Sequence, residues 1–454
     1  MRFPNSDSRF GLSLALLTLG TLVLPTFAAS ARRDERPRVI IETDAGGDPD
    51  DEQSLVRFLL YTNDLDVEGI IANRPLARDG ENRNIERTGL GIVRRQLTAY
   101  RECYPSLVKH DPRYPTPDQL WQRTVPGYGS TDVGTDLVIA AVDRNDSRPL
   151  WFCNWGTDAE SAPSCLKRAL DRVLKERGIK GYARFKSKLR LSSADKFAEH
   201  TTTAEPPFRL WVDTFRPEVD RKRWYHRFSA LTATAGGFDL HRDALTGHGP
   251  LGALYPTNTT HKQKEGDTMS FLYLVPTGMN DPEHPDWGSW AGRYGRNETM
   301  PDRPYYWANQ PDTWEGTTHR ENSLKRWAVA LQNDFRARLE WCVKDRAHAN
   351  HPPVARLQGE RERTARPGEE VTLDASPSHD PDGQPLRLEW TYYPEPGTYR
   401  GDAPQLSVAG EGRVTFLAPA VKEAATLHYI LSATDNGEPP LTRYQRVIVT
   451  VRPR

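Results

Sequence analysis

The chain has 454 residues and a formal net charge of zero at pH 7, with 61 basic and 61 acidic side chains. Its length predicts two or three domains, since domains commonly have roughly 100 to 200 residues, and two is our working count. The balanced charge excludes a broad electrostatic field that would recruit a nucleic-acid polymer or an anionic membrane, so recognition must depend on local clusters.

The first residues have the pattern of an export signal. Two arginines precede an apolar run over residues 12–24, and the small residues 29–31 follow it. The run is shorter than the roughly 18 apolar residues that a transmembrane helix needs, and no later stretch reaches that length. We therefore expect a signal peptide at 1–31 and a secreted or periplasmic protein without stable membrane insertion; an uncleaved anchor is the alternative. In that compartment the four cysteines could form one or two disulfides, whose pairing the sequence leaves open.

Strands and helices are predicted to alternate after this segment. Residues 38–41 form a short apolar run, and Glu52 to Tyr61 carry apolar side chains at helical spacing. A second strand is predicted at 65–72, a helix at 137–142 and a third strand at 149–152. This alternation indicates an α/β domain with an open, largely parallel sheet and helices on both faces, and we assign it to 36–346.

The last hundred residues have a different texture. A helix from Glu321 to about Lys344 closes the first domain, and a proline-bearing linker follows at 347–353. Residues 354–454 then alternate short apolar segments with Gly, Pro and Asp turns, which predicts an antiparallel immunoglobulin-like β-sandwich that serves as an accessory module. Its predicted strands are 371–373, 386–392, 413–417, 427–434 and 443–451.

An acidic loop follows the first predicted strand. Four aspartates lie within the eight residues 44–51, and Gly46 and Gly47 allow a tight turn. Carboxylates this close repel one another unless a cation lies among them, and calcium prefers oxygen ligands. The alternative is a solvated acidic turn in which an aspartate caps the next helix. Ligands of open α/β sheets bind beyond the carboxyl ends of the strands, and this position favours the calcium site.

The loop and the following helix resemble the N-terminal signature of the nucleoside hydrolases. The chain departs from that signature by having Ala45 in place of a proline and by two inserted residues. It is more similar, from about Arg38 to the C-terminus, to a bacterial family of cellulose-binding proteins with a nucleoside-hydrolase-like domain and a C-terminal immunoglobulin-like domain. The segments that carry this resemblance are 42–57, 148–151, 154–156, 248–252, 265–268 and 287–294.

The resemblance implies a role for each acidic residue. Asp44, Asp51 and Asp267 would bind the calcium ion, and a main-chain carbonyl near Trp155 would complete the protein ligands. Asp44 would also accept the proton of the attacking water, and Asp50 would contact the sugar. Asp44 and Asp50 are therefore the predicted catalytic residues, acting through a water activated by the metal and an oxocarbenium-like transition state.

The general acid of the nucleoside hydrolases is not recognisable. Their late-loop aspartate often has a histidine beside it, whereas Gly266 and Glu265 precede Asp267 here. Glu265 or His248 could instead protonate a leaving group, and we predict that both bind substrate together with Asp50 and Trp155. A loop histidine that is merely hydrogen-bonded is the alternative for His248.

Aromatic residues crowd the stretch from Trp287 to Trp314. They would either stack on sugar rings in a carbohydrate cleft or pack a loop over the core. The residues concerned include Trp290, Tyr294, Tyr305, Tyr306 and Trp307.

Two functions follow from the sequence. The first is a secreted, calcium-dependent hydrolase of N-glycosyl or related glycosidic bonds, with a nucleoside or carbohydrate as substrate. The alternative is a noncatalytic protein that binds cellulose or another polysaccharide on a nucleoside-hydrolase-like fold. The missing acid favours the alternative, and the three metal-binding carboxylates favour the enzyme.

Overall fold

The computed structural model describes residues 35–47, 49–79, 84–155, 164–192, 210–212, 231–257, 263–296 and 307–453. The predicted signal peptide at 1–31 lies outside these residues. Arg36 to Arg454 form one compact unit. None of the described helices combines the length and the apolar character needed to cross a bilayer.

A six-stranded parallel sheet organises the first domain, and its strands follow the order β3-β2-β1-β4-β5-β6. The central strand β1 is buried along its whole length, as expected for a parallel strand with helices on both faces. The parallel sheet predicted from the alternation of strands and helices is confirmed. The strands are β1 (Arg38–Thr43), β2 (Asp66–Ala72), β3 (Thr124–Pro126), β4 (Leu150–Trp155), β5 (Leu189–Ser192) and β6 (Leu210–Val212).

Successive side chains of β1 point to opposite sides of the sheet, so its apolar residues are buried against helices on both faces. Val39 and Ile41 join the core that includes α1 and α2. Ile40 joins the core that includes α4 and α5. The longer helices are α1 (Asp50–Leu60), α2 (Gly89–His110), α3 (Pro117–Gln122), α4 (Val133–Asp143) and α5 (Cys165–Ser187), and shorter ones are α6 (Gly249–Ala253) and α7 (Thr268–Leu272).

The helix predicted from Glu321 to about Lys344 is instead two helices, α8 (Asn322–Lys325) and α9 (Ala328–Glu340). Trp327 lies between them, and its ring packs edge-on against Tyr393 and Tyr444 of the second domain. Short strands precede this pair: β7 (Tyr294–Arg296), β8 (Trp307–Asn309), β9 (Asp312–Trp314) and β10 (Thr317–His319).

The second domain is a β-sandwich, as predicted. One sheet has the order β11-β17-β16-β13 and the other has the order β12-β15-β14. All pairs are antiparallel except β11 with β17. Its strands are β11 (Glu362–Ala365), β12 (Glu370–Asp374), β13 (Arg387–Tyr392), β14 (Ser407–Gly410), β15 (Arg413–Leu417), β16 (Ala425–Thr434) and β17 (Thr442–Val451).

The sandwich is joined to the first domain by main-chain hydrogen bonds of β17. The amide of Tyr444 donates to the carbonyl of Thr277 at 2.9 Å, and the amide of Arg446 donates to that of Gly278 at 3.2 Å. The buried Arg446 side chain also donates to the carbonyls of Met279 and Trp287. The interface between the two domains therefore combines these hydrogen bonds with the aromatic packing around Trp327.

The four cysteines are free and buried. Burial raises the pKa of Cys153 to about 12, although a contact with Ser270 lowers it slightly. A thiol in this state is neither a nucleophile nor a metal ligand at neutral pH.

Candidate metal centre

The acidic loop turns tightly between β1 and α1. The amide of Ala45 donates to Thr43 Oγ1 at 3.0 Å, and the amide of Gly47 donates to the carbonyl of Asp44 at 2.9 Å. Gly46 has a φ of 98°, which side-chain-bearing residues rarely adopt, and a Cβ there would lie 3.1 Å from Ile92. Because the loop lies at the carboxyl edge of the sheet, its side chains project where α/β proteins bind ligands.

Three carboxylates converge at this edge. Asp50, Asp51 and Asp267 each offer an oxygen atom, and these atoms all lie within 4.8 Å of one another. Asp50 and Asp51 open α1, and Asp267 immediately precedes α7. The hydroxyl of Thr43 donates to Asp51 at 2.5 Å and fixes one of its oxygens. We call these three residues the carboxylate cluster.

The most buried member of the cluster, Asp51, lies among like charges. Burial, followed by the charges of Asp267 and Asp44, raises the pKa of Asp51 well above its usual value, and a hydrogen bond with Asp44 raises it further. A divalent cation among these oxygens would reverse the effect, because it would favour the ionised form. The set consists only of carboxylate oxygens, which suits calcium.

Helix α1 also fixes the late loop that carries Asp267. Gln53 Oε1 accepts the amides of Lys264 at 2.7 Å and of Glu265 at 3.1 Å. Ser54 Oγ accepts the amide of Asp267 at 3.3 Å. One helix therefore bears two carboxylates of the cluster and positions the third.

Asp44, predicted as a metal ligand and as the base, contacts the cluster from one side. Its carboxylate is hydrogen-bonded with Asp51. Arg74 donates to a carboxylate oxygen of Asp44 at 3.1 Å and to its carbonyl at 3.2 Å. The resemblance assigned Asp44 to the metal and Asp50 to the sugar, whereas the structure places Asp50 in the cluster and pairs Asp44 with a guanidinium.

Two basic residues at the site were missed by the sequence reasoning. Arg74 lies two residues after β2, at the same edge of the sheet as the acidic loop. The ammonium of Lys264 lies 3.9 Å from the Asp50 carboxylate. The sequence showed that Arg74 follows a predicted strand and that Lys264 lies three residues before Asp267. Neither residue, however, belongs to a recognisable motif.

The structure places Glu265, which was predicted to bind substrate, in the core. It is fully buried and accepts hydrogen bonds from the Arg57 guanidinium at 3.0 Å and from the Tyr255 hydroxyl at 2.7 Å. Gln263 and Thr268 donate to it as well, at 2.7 and 2.8 Å. A carboxylate with four protein donors and no solvent exposure is a structural anchor of the Asp267 loop, because it has no face left for a leaving group.

The side chain of Trp155, another predicted substrate contact, is buried too. It packs edge-on against Phe58, with ring centroids 6.0 Å apart. Its Nε1 donates to Ser270 Oγ at 2.8 Å, and that hydroxyl donates to the carbonyl of Asp267 at 2.7 Å. Trp155 therefore orients the start of α7, and the metal contact of a nearby main-chain carbonyl stays a prediction.

His248 lies beside α2, immediately before α6. Its Nε2 is 3.0 Å from the carbonyl of Arg242, and the adjacent Gly249 contacts Cys103 on α2. The structure therefore gives His248 a main-chain partner, as in the hydrogen-bonded alternative considered for it.

The aromatic stretch is mainly core in its described part. Trp290 and Tyr294 are fully buried, and Tyr294 packs edge-on against Tyr273 with centroids 6.4 Å apart. Trp307 is half-buried. Tyr305 and Tyr306 lie outside the described residues. Packing over the core, the alternative to a sugar cleft, therefore accounts for Trp290 and Tyr294.

Comparison with known proteins agrees with this architecture. Residues 38–294 match the family described as cellulose-binding Sde182, nucleoside hydrolase-like domain. This chain belongs to that family. Residues 370–451 match the C-terminal domain of cellulose-binding protein Sde0182. The family predicted from the acidic loop and its supporting segments is confirmed.

One solved structure extends the match to nearly the whole chain. It is described as a nucleoside hydrolase-related hypothetical protein from Saccharophagus degradans that is associated with carbohydrate metabolism. It is 31% identical, covers 92% of this chain and 100% of its own, and superposes with a TM-score of 0.70. A PKD domain from the KIAA 1837 protein is 22% identical over 22% of this chain and 89% of its own, with a TM-score of 0.17. No curated protein matches the chain.

Proposed function

We propose that this protein is a calcium-dependent hydrolase of N-glycosyl or related glycosidic bonds in carbohydrates. The observation that carries the proposal is the convergence of Asp50, Asp51 and Asp267 within 4.8 Å at the carboxyl edge of the parallel sheet. Membership in a cellulose-binding family supports a carbohydrate as the ligand. Three carboxylates around one point are more than a neutral sugar needs, whereas they suit a cation that acts on it.

The proposed chemistry uses the side chains in distinct roles. When bound, calcium supplies a positive charge that lowers the pKa of a water molecule at the site. Asp44, beside Asp51, accepts a proton from the water as its oxygen forms a bond to the anomeric carbon. The bond to the leaving group breaks with its electron pair, and the carboxylates stabilise the positive charge that develops on the sugar. Arg74 holds the Asp44 carboxylate in place. Asp50, which would hold the cation together with Asp51 and Asp267, also contacts a sugar hydroxyl through its second carboxylate oxygen.

A second candidate is a noncatalytic polysaccharide-binding protein with the same metal site. One observation favours it: Glu265 is enclosed by protein donors and His248 is hydrogen-bonded with the Arg242 carbonyl, so both predicted acids have protein partners. A leaving group that must be protonated would then depend on solvent or on a residue outside the described ranges. Binding alone needs no acid.

Turnover and calcium binding separate the two candidates. The full chain would be incubated with nucleosides, aryl glycosides and plant oligosaccharides, with calcium or with a chelator, and product release would be followed. We expect a chelator-sensitive product that Asp44→Asn abolishes while calorimetry still detects calcium binding, and we expect Asp51→Asn to abolish both. Asp118→Asn is the control, because this carboxylate is 73% exposed in a surface ion pair with Arg101.

The opposite outcome is equally specific. Retention on insoluble cellulose that survives the chelator and both active-site substitutions, with no turnover of any substrate, would support the binding protein. We also propose that the protein acts outside the inner membrane, which rests on the signal pattern of residues 1–31. Cell fractionation with an antibody against the mature chain tests that location.

A further inference from the structure

Two cavities lie side by side along α2. The smaller has a volume of about 350 Å³ and is lined by Pro49, Glu52 and Gln96 among others. The larger has a volume of about 590 Å³ and is lined by Arg94 and Trp121 among others. Both are walled by Arg95, Ala253 and Leu254, so they share a boundary and form one groove, which we call the α2 groove. Their volumes are in the range of about 300 to 1,000 Å³ that is typical of ligand sites.

The α2 groove begins next to the carboxylate cluster. Pro49 directly precedes Asp50, and Glu52 directly follows Asp51, so the wall of the smaller cavity and the cluster occupy the same first turn of α1. From there the groove runs along α2 to Trp121 in α3. A ligand held at the cluster could therefore continue into the groove, provided that it is long.

A buried polar atom in the groove lacks a protein partner. Gln96 is 2% exposed, and its Nε2 donates to the carbonyl of Glu52 at 3.0 Å. Its Oε1 accepts no hydrogen bond from the described residues. An unsatisfied buried acceptor is destabilising, so a donor from outside the protein is favoured there. The bond to Glu52 fixes the amide orientation, and Gln96 lines the smaller cavity, where a ligand hydroxyl could supply the missing donor.

The remaining lining is rigid and nearly neutral. Asn84 donates to the Glu52 carboxylate at 2.9 Å and accepts from Arg95 at 2.9 Å, so three planar polar groups are held in one network. The lining carboxylates are opposed by two arginines, and the Arg94 guanidinium stacks over the Trp121 ring at 4.9 Å. The balance gives no strong field for a phosphate or an acidic polymer, whereas planar polar groups and an aromatic ring suit the hydroxyls and apolar faces of sugars. The charged lining residues are Glu52, Glu86, Glu102, Arg94 and Arg95.

We propose that the α2 groove binds successive units of a neutral oligosaccharide that extends away from the carboxylate cluster. The inference rests on the proposed function only in that the same carbohydrate reaches the cluster. It specifies that function further, because it makes the substrate a chain of several sugars and not a single nucleoside.

Calorimetry of the full chain with chelator present tests the groove separately from calcium chemistry. The probes are cellotetraose and xylotetraose as neutral chains, cellobiose as a short chain and tetragalacturonate as an acidic one. We expect a neutral tetrasaccharide to bind at least tenfold more tightly than cellobiose and tetragalacturonate. Ala253→Phe, which adds a ring at the exposed wall shared by both cavities, should weaken that binding at least tenfold.

Gln96→Leu should have a similar effect by removing the unpaired acceptor. Gln384→Leu is its matched control, because Gln384 Oε1 is another buried acceptor without a partner among the described residues but lies in the second domain. Unchanged tetrasaccharide affinity in Ala253→Phe, or no binding of either neutral tetrasaccharide to the wild type, would overturn the proposal. Binding without turnover would leave the groove standing and refute the hydrolase. Turnover of nucleosides with no tetrasaccharide binding would support the hydrolase and refute the groove.

Discussion

Replacing Glu265 by glutamine tests whether this residue anchors the late loop or protonates a substrate. Glu265 and Arg57 are both fully buried, and their ion pair is accompanied by hydrogen bonds from Tyr255, Gln263 and Thr268. Burial alone would lower the pKa of Arg57, yet the Glu265 charge raises it above its usual value. Removing that charge leaves a buried guanidinium whose other side-chain partner is the neutral Gln332. Breaking a buried ion pair by changing one partner costs about 3 to 5 kcal/mol.

Urea denaturation at pH 7, followed by tryptophan fluorescence and by circular dichroism, measures the loss. We expect Glu265→Gln to lower the free energy of unfolding by about 3 to 5 kcal/mol, and the double variant Arg57→Met with Glu265→Leu to regain much of it, since no buried charge remains. Glu389→Gln is the control. It removes one partner of the exposed Arg387–Glu389 pair and should cost less than about 1 kcal/mol.

The same variant should also bind calcium less tightly, because Glu265 holds the loop that presents Asp267. A Glu265→Gln protein that unfolds like the wild type and binds calcium normally but has lost turnover would refute this reasoning. That combination would restore Glu265 as an acid.

Three further predictions concern the interface, the pH response and the charge of the site. Gly278→Ala should destabilise the protein by at least about 3 kcal/mol in the same urea assay, because a Cβ there would lie 1.9 Å from the Tyr444 carbonyl oxygen. The control is Gly129→Ala, which has a similar positive φ but no atom within 4 Å of the added Cβ, and it should cost only about 1 to 2 kcal/mol. The pKa of His428 is lowered to about 3, first by burial and then by the charges of Arg446 and Arg361. His428 therefore makes its full contribution to stability above its unfolded pKa of about 6.5, where it is neutral in both states. That contribution is lost as the pH falls from about 6.5 towards 3, because protonation then favours the unfolded chain. At pH 5 the loss is about 2 kcal/mol, and His428→Gln should unfold with a correspondingly shallower dependence on pH between 7 and 5; an unchanged slope would contradict the assignment. Arg74→Gln should tighten calcium binding severalfold in calorimetry, because it removes a positive side chain paired with Asp44. Arg87→Gln, which breaks an exposed pair with Asp79, should leave calcium binding unchanged. Weaker calcium binding in Arg74→Gln would show instead that the guanidinium organises the site.

The sequence predicted those parts of the site that depend on local position. The acidic loop follows a buried strand, and the carboxyl ends of parallel strands meet at one edge, so Asp50 and Asp51 had to lie at the ligand-binding edge of the sheet. The resemblance added Asp267, which no local pattern identifies. The edge strand β14 was missed because its residues are all exposed and include a glycine, so they lack the alternation of a half-buried strand.

The structure gives three predicted substrate-binding residues surroundings that the sequence did not reveal. Glu265, Trp155 and His248 were assigned to substrate because of their neighbours in the chain, but the destination of a side chain depends on contacts distant in sequence. Glu265 meets Arg57, which lies 208 residues earlier, and Trp155 meets Ser270, which lies 115 residues later. Neither partner could be identified without the fold.

The amino-acid sequence by itself determined the alternating α/β layers, the following sandwich and the position of the acidic loop, because hydrophobic period and turn residues act over a few residues. Only the tertiary structure decided which polar residues are functional and which are structural. A carboxylate in the core and one at the rim look alike in sequence; they differ in how many protein donors surround them, and packing alone supplies those donors.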